Sequence, residues 1–302
     1  MKIHGVTIED TFAEAFDMTA TRVIITAAEL QWARRAAEAM SGFATRVIGC
    51  GVEAGIEEDI DESLTPDGRP GVSVLLFSMS GSELEKQVVR RVGQCVLTCP
   101  STSVFGGIAS TKRIAMGSKL RYFGDGFQNS KLIGGERFWR IPVMDGEFVC
   151  QDTIGRVSAV GGGNFLVLAD TIHGALHASD AAVKAIRKLR ECITPFPGGV
   201  ARSGSKVGSK YKGLNASTND AYCPTLRELT VSNVSDDCGA ALELVIDGMT
   251  PAIVEEATRI GILAACKVGA ENGVRRIAGG NYGGKLGKHH FHLHAILKGF
   301  GE

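Results

Sequence analysis

The sequence predicts an α+β protein of two ferredoxin-like lobes, each in the order βαββαβ, with additional β strands between them. Two observations carry this expectation. Runs of β-branched residues alternate with stretches whose apolar residues recur at helical spacing, and the same order comes twice. Between the two rounds, residues 119–155 hold several short strand-like runs (LRYFGDG, FWRIPV, GEFVCQD). A structureless loop of that length would be unusual in a compact domain, so they read as extra sheet bridging the halves.

In the first round, TRVIITA (21–27) is a strand. Leu30, Ala33, Ala37 and Met40 mark the helix after it, which Gly42 stops. ATRVIGC (44–50) is a second strand, followed by an acidic loop punctuated by Pro and Gly, and GVSVLLF (71–77) is a third. Ser82 with Glu85 reads as a capping box, opening a helix with Leu84, Val88 and Val92 on one face. CVLT (95–98) is the fourth strand.

The second round opens with NFLVLAD (164–170) and a helix carrying Leu176, Val183 and Ile186. A short ITPF strand leads into a Gly/Ser/Lys-rich loop, and ALELVID (240–247) follows. Thr250 and Pro251 supply an N-cap and a first-turn proline. Ile253, Val254, Ala257, Ile260 and Ala264 line that helix to a stop at Gly269, and VRRIAGG (274–280) closes the lobe. The expected division is residues 1–155, an N-terminal lobe with the bridging strands, and 156–302, a C-terminal lobe carrying most of the site.

Lys+Arg and Asp+Glu both total 33 in 302 residues, so nothing favours long-range attraction to nucleic acid or an anionic membrane. The acidic N-terminus is unlike a signal peptide, and no apolar run reaches the length of a membrane span. Eight cysteines at 50, 95, 99, 150, 192, 223, 238 and 266 form no CxxC, which fits reduced thiols and a cytoplasmic protein.

Four features could carry chemistry. Glu243 lies mid-strand in an apolar run, sharing a face with Ala241 and Val245. A carboxyl held among apolar groups has its pKa raised toward neutrality, where it can move protons; on an exposed face it would only solvate the sheet. GGN followed by an aromatic occurs twice, offering Asn164 with Phe165 and Asn281 with Tyr282 beside glycines that let a backbone approach a ligand. Tight strand ends are the plainer reading. The loop 195–224 is polar and basic, with Arg202, Lys206, Lys210 and Lys212 among Gly and Ser, and suits an anionic ligand group or is simply solvated. His290, His292 and His294 would share one strand face; three imidazoles can bind zinc, but a polar edge strand suffices. GxGxxG and GxxxxGK[ST] are both missing.

Beyond these residues, the stretches GVTIEDTFAEAF, TPDGRPGV, GQCVLT, FGDG, GGNF, PFPGG, SKVGSK, ASTNDAYCP and GGNYGGKLGK, in order along almost the whole chain, resemble the formylmethanofuran:tetrahydromethanopterin formyltransferase family. The match is weaker around 101–118, 129–136 and 226–238. The resemblance implies two ferredoxin-like lobes, a homotetramer built from dimers, and a cleft near lobe and subunit contacts. It implies no metal and no tightly bound cofactor, with tetrahydromethanopterin and methanofuran as co-substrates. It places the catalytic glutamate at Glu243. From their positions, Ser205, Lys206, Lys210, Asn219, Asp220, Tyr222, Asn164, Phe165, Asn281 and Tyr282 are the expected substrate-binding residues. The neutral charge departs from the acidic methanogen members and looks more like methylotrophic bacteria, where the family's member belongs to a complex with a metal-dependent formylmethanofuran hydrolase. Two other readings are a non-catalytic scaffold in such a complex and a formyltransferase acting on a different amine.

Overall fold

The computed structural model describes residues 1–43, 51–204 and 206–301. It is an α+β protein whose chain divides into two compact units, 18–159 and 1–17 with 160–302. The sequence expectation broke the chain at 155/156 and left the N-terminus with the first lobe. The N-terminus goes with the second unit because Val6–Ile8 pairs in parallel with Val274–Gly279.

In the unit 18–159, the central strand is the distal part of Phe12–Thr26, which starts well before the expected Thr21. It pairs antiparallel with Gly71–Ser78 on one side and Ser103–Gly106 on the other, and Glu53–Ile60 adds outside Gly71–Ser78. By position in the βαββαβ order, the sheet runs 2-3-1-4. The helices Leu30–Ser41 and Gly81–Arg91 cover one face, burying Ala33, Ala37, Met40, Leu84 and Val88 against Val23, Ile25, Val72, Val74 and Leu76.

The strand expected over 44–50 lies outside the described residues. Three expectations for this unit change. The strand Glu53–Ile60 takes in residues 57–60 of what read as acidic loop, where the acids are paired: Arg22 makes two 2.7 Å bonds to Glu57, Ser73 Oγ donates to Glu57 at 2.6 Å, and Arg34 pairs with Asp59. The N-cap is Ser80, accepting from Glu83 N at 3.2 Å, while Glu85 accepts from Ala115 N at 2.8 Å. CVLT is helical, because Val88, Val92 and Val96 keep a four-residue period and all are buried; the fourth strand comes later, at Ser103.

Of the inserted runs, LRYFGDG is a helical turn, Gly117–Leu120 followed by Arg121–Gly124. The others form an antiparallel meander, Asn129–Ile133, Glu136–Val143 and Gly146–Gln151, that extends this unit's own sheet beside Ser103–Gly106.

In the other unit, Phe165–Ala169 is central, with Val274–Gly279 on one side and Ala240–Leu244 on the other, both antiparallel. Past Ala240–Leu244, the second strand position shrinks to a bridge between Ala201 and Glu243, leaving Cys192–Ile193 paired elsewhere. Helices Ile172–Ile186 and Pro251–Val268 pack on one face of this sheet. Thr250 caps the second, accepting from Ile253 N at 3.3 Å. Leu176, expected on the buried stripe, is 43% exposed; Ala175, Ala178 and Ala182 take that role, and their small side chains admit close helix packing.

Seven cysteines among the described residues are free. Burial pushes the thiols of Cys150 and Cys266 up to about 12, with Asp152 adding to the effect on Cys150. At pH 8 both should resist a thiol-specific reagent in the folded protein and react only on unfolding, which a timed labelling series with and without denaturant would read. Labelling at native rates equal to unfolded ones would contradict this packing.

Candidate active site

Side chains on the sheet Val274–Gly279, Phe165–Ala169 and Ala240–Leu244 alternate between two faces. Phe165, Val167, Leu244 and Ile277 face the helices. The opposite face carries Leu166, Leu168, Ala241, Glu243 and Ala278, with Leu166 in register with both Glu243 and Ala278. The long connection after Ala201 folds back over this face and lays Tyr222, Val234 and Cys238 on it. Glu243 is therefore a covered carboxylate, 3% exposed, and the reading in which it merely solvates an open sheet does not hold.

Asn164, the residue before the central strand, is buried and donates from Nδ2 to Glu243 Oε1 at 2.8 Å. Its own backbone brackets the neighbouring turn: Gly280 N donates to Asn164 O at 2.8 Å. A Cβ on Gly280 would sit 2.8 Å from Asn164 Cβ, so glycine is what lets these two segments close on the carboxylate. Asn164 Oδ1 is buried with no hydrogen-bond partner among the described residues. An unsatisfied acceptor in such a position is a docking point for a donor on a bound molecule.

Glu243 lies on the wall of a cavity of about 570 Å³. Asn219 and Tyr222 contribute from the covering connection, Gly279, Gly280, Asn281 and Tyr282 from the glycine turn, and Glu9, Thr11 and Arg276 from the floor. Arg276 Nη2 contacts Glu9 Oε1 at 2.6 Å. Burial raises the Glu9 carboxyl above the ordinary glutamate range, and the Arg276 charge only partly opposes it. Burial also raises the Tyr222 phenol, helped by the negative charge of Glu9 and lowered by a hydrogen bond with Asn233.

The structure thus brings together Glu243, Asn164, Asn219, Tyr222, Asn281 and Tyr282. Phe165 is a correction: strand alternation turns its ring to the helix side, where it is fully buried against Gly261. Lys206, Lys210 and Asp220 are absent from the cavity lining; Lys206 pairs with Asp220, tying the short hairpin Lys206–Val207/Ala216–Ser217 to the connection beside the cavity. Ser205 lies outside the described residues. The three histidines do not share a strand face either, since the strand ends at His292 and His294 belongs to the turn Leu293–Ile296, where its Nε2 meets Ile8 O at 2.9 Å.

Two family models together cover nearly the whole chain. Residues 1–143 match the model described as formylmethanofuran-tetrahydromethanopterin formyltransferase, and 146–296 match its proximal lobe. The chain belongs to the formylmethanofuran-tetrahydromethanopterin formyltransferase family. The formyltransferase of Methylococcus capsulatus is 60% identical over 297 residues, covering 98% of this chain and all of that one. A subunit of the formyltransferase/hydrolase complex of Methylorubrum extorquens is 49% identical over 302 residues, covering 98% of this chain and 97% of that one. The crystal structure of that complex with methylofuran superposes with a TM-score of 0.95 over 99% of both chains. The Methanosarcina barkeri formyltransferase superposes at 0.90 with 45% identity, over 98% of this chain and all of that one.

Within this formyltransferase frame, the cavity residues that sequence reasoning passed over include Glu9, Thr11, Asn233 and Arg276. A parity argument would have found Arg276: in VRRIAGG it shares a face with Ala278, the face that carries Glu243. Glu9 had no such signal, because its place depends on a parallel pairing across nearly the whole chain.

Proposed function

We propose that this formyltransferase moves the formyl group between the methanofuran amine and the ring nitrogen of tetrahydromethanopterin inside the cavity that Glu243 lines. The observation that carries this reading is one buried carboxyl, Glu243, fixed by Asn164 at the wall of a polar cavity. Tetrahydromethanopterin's ring nitrogen attacks the formamide carbon, forming a C–N bond while the carbonyl electron pair moves onto oxygen. The tetrahedral intermediate then expels the methanofuran amine, whose nitrogen takes up a proton as the old C–N bond breaks. The proton lost by the attacking nitrogen balances the one gained by the leaving nitrogen.

An amine leaves poorly as an anion, so a positioned acid contributes roughly two to four orders of magnitude. Glu243 takes that part as the acid, with the Asn164 amide orienting its carboxyl. A donor aimed at the developing oxyanion adds a comparable factor. Holding the two carriers in line supplies the rest. Asn164, Asn219, Tyr222, Asn281 and Tyr282 are the substrate-binding residues in this reading, and the C-terminal lobe carries most of the site. Both carriers act as co-substrates, with no tightly bound cofactor. The relative from Methylorubrum extorquens bears the name of a formyltransferase/hydrolase complex, which supports a chain that meets a formylmethanofuran hydrolase. The assembly we propose for the chain itself is the homotetramer that its family resemblance implies. No described helix is long and apolar enough to cross a membrane; the setting we propose is cytoplasmic.

The deciding assay is formyl transfer by the purified protein between formylmethanofuran, or furfurylformamide as a truncated donor, and tetrahydromethanopterin, with tetrahydrofolate as a competing acceptor. Turnover with a clear preference for tetrahydromethanopterin is expected. Preference for tetrahydrofolate would move the reading to a different amine, and no turnover with authentic carriers would leave a scaffold. In the same assay Glu9→Gln, which leaves Arg276 half-buried without its counter-charge, should lower kcat/KM about tenfold or more. An unchanged value would remove the Glu9–Arg276 pair from the site.

A further inference from the structure

The cavity wall contributed by Asn281 and Tyr282 belongs to a turn with four glycines among residues 279–284, and such a segment loses much conformational freedom when ordered. One side chain from elsewhere closes around it. Glu14, on the strand Phe12–Thr26, is fully buried, and its carboxylate accepts four backbone N–H groups of the turn. Tyr282 and Gly284 donate to Oε2 at 2.6 and 2.9 Å, and Leu286 and Gly287 donate to Oε1 at 2.8 and 2.6 Å. Loss of water works against the charged form, but these four donors outweigh it together and hold the carboxyl below the ordinary glutamate range.

Glu14 also reaches the reacting end of the cavity through its main chain. Its N–H donates to Gly280 O at 2.9 Å, and Gly280 N–H donates to Asn164 O, next to the amide that holds Glu243. The Tyr282 ring lies 5.7 Å from Phe16, on the same strand as Glu14, and Asn281 Nδ2 donates to Thr11 Oγ1 at 3.1 Å. We propose that Glu14 is the positioning residue of this turn: four amides folded onto one carboxylate set Asn281 and Tyr282 so that the carrier seated against them binds in a single pose. The proposal rests on the reading that transfer takes place in this cavity. Glu14 is buried beneath the turn, so it acts through Tyr282 and Asn281 and not on a carrier directly.

The test is Glu14→Gln, which keeps the shape but turns an amide NH2 toward two of the donors. Each carrier's KM is measured separately with kcat, and hydrogen exchange of the amides of Tyr282, Gly284, Leu286 and Gly287 is followed without substrate. The expected result is faster exchange at these four amides and a KM for one carrier raised about tenfold or more, with kcat within about threefold. Unchanged exchange, or unchanged KM values with a loss of stability only, overturns the proposal. If Glu14→Gln does not fold, Gly283→Ala decides: it forces an alanine to φ +79° where its Cβ would touch nothing, straining the turn alone. The same carrier's KM must rise there too, and a wild-type KM overturns the proposal. Absence of transfer by the wild type would defeat the functional reading instead, and the exchange measurement would still decide whether Glu14 anchors the turn.

Discussion

Glu243→Gln should lower kcat for formyl transfer by about a hundredfold or more while the fold and the KM values stay close to wild type. The substitution keeps the shape of the side chain and one oxygen for the Asn164 donor at 2.8 Å. What it removes is the exchangeable carboxyl proton, and a positioned acid is worth roughly two to four orders of magnitude when the leaving group is an amine. Loss of an interaction made only in the transition state lowers kcat and kcat/KM together. Activity within a few-fold of wild type would leave the family intact and sink this role for Glu243. A loss confined to KM would instead make Glu243 a binding group.

A large loss of stability is expected from Gly279→Ala. Gly279 pairs with Phe165 in the sheet of the second unit and also lines the cavity. Its φ is not among the positive ones, so backbone conformation is no obstacle. The obstacle is space: a Cβ there would sit 2.3 Å from Phe12 O and 2.5 Å from Phe12 C, backbone atoms that cannot rotate away. Overpacking in a well-filled interior costs about 1–3 kcal/mol and occasionally more, and a clash with main chain belongs at the upper end. A denaturant-unfolding midpoint lowered by that amount, or loss of soluble protein, is expected. Wild-type stability would mean that the strand Phe12–Thr26 is free to move off the sheet.

The two βαββαβ rounds were legible because their helices announce themselves by period: Ala33, Ala37 and Met40, or Val254 and Ala257, fall where helical spacing puts them, and they are buried. The strands were harder. Residues 57–60 of the strand Glu53–Ile60 read as loop until their acids find Arg22, Ser73 and Arg34, partners supplied by other elements. Val96 has strand-like neighbours but continues a helical row, and there the longer period wins.

For the site, strand parity correctly put Glu243 opposite Leu242 and Leu244, yet parity alone leaves open which face is covered. The covering comes from Tyr222, Val234 and Cys238 in a connection without periodicity. Parity also turns Phe165 away from the cavity, which its neighbour Asn164 in the GGN motif had obscured. Glu14 was invisible as an anchor, since its four partners are backbone amides that no side-chain pattern records.

The pairing of Val6–Ile8 with Val274–Gly279 also has a consequence for how the protein is born. The strand Val6–Ile8 leaves the ribosome long before the strand it pairs with. At about 5–20 residues per second, it waits on the order of 15–60 s for its partner. During synthesis the unit 18–159 has its strands early, whereas the cavity that Glu243 lines exists only once Glu9 and the turn at Gly280 have met. A chain terminated before Val274 therefore carries the described strands of the unit 18–159 without that cavity.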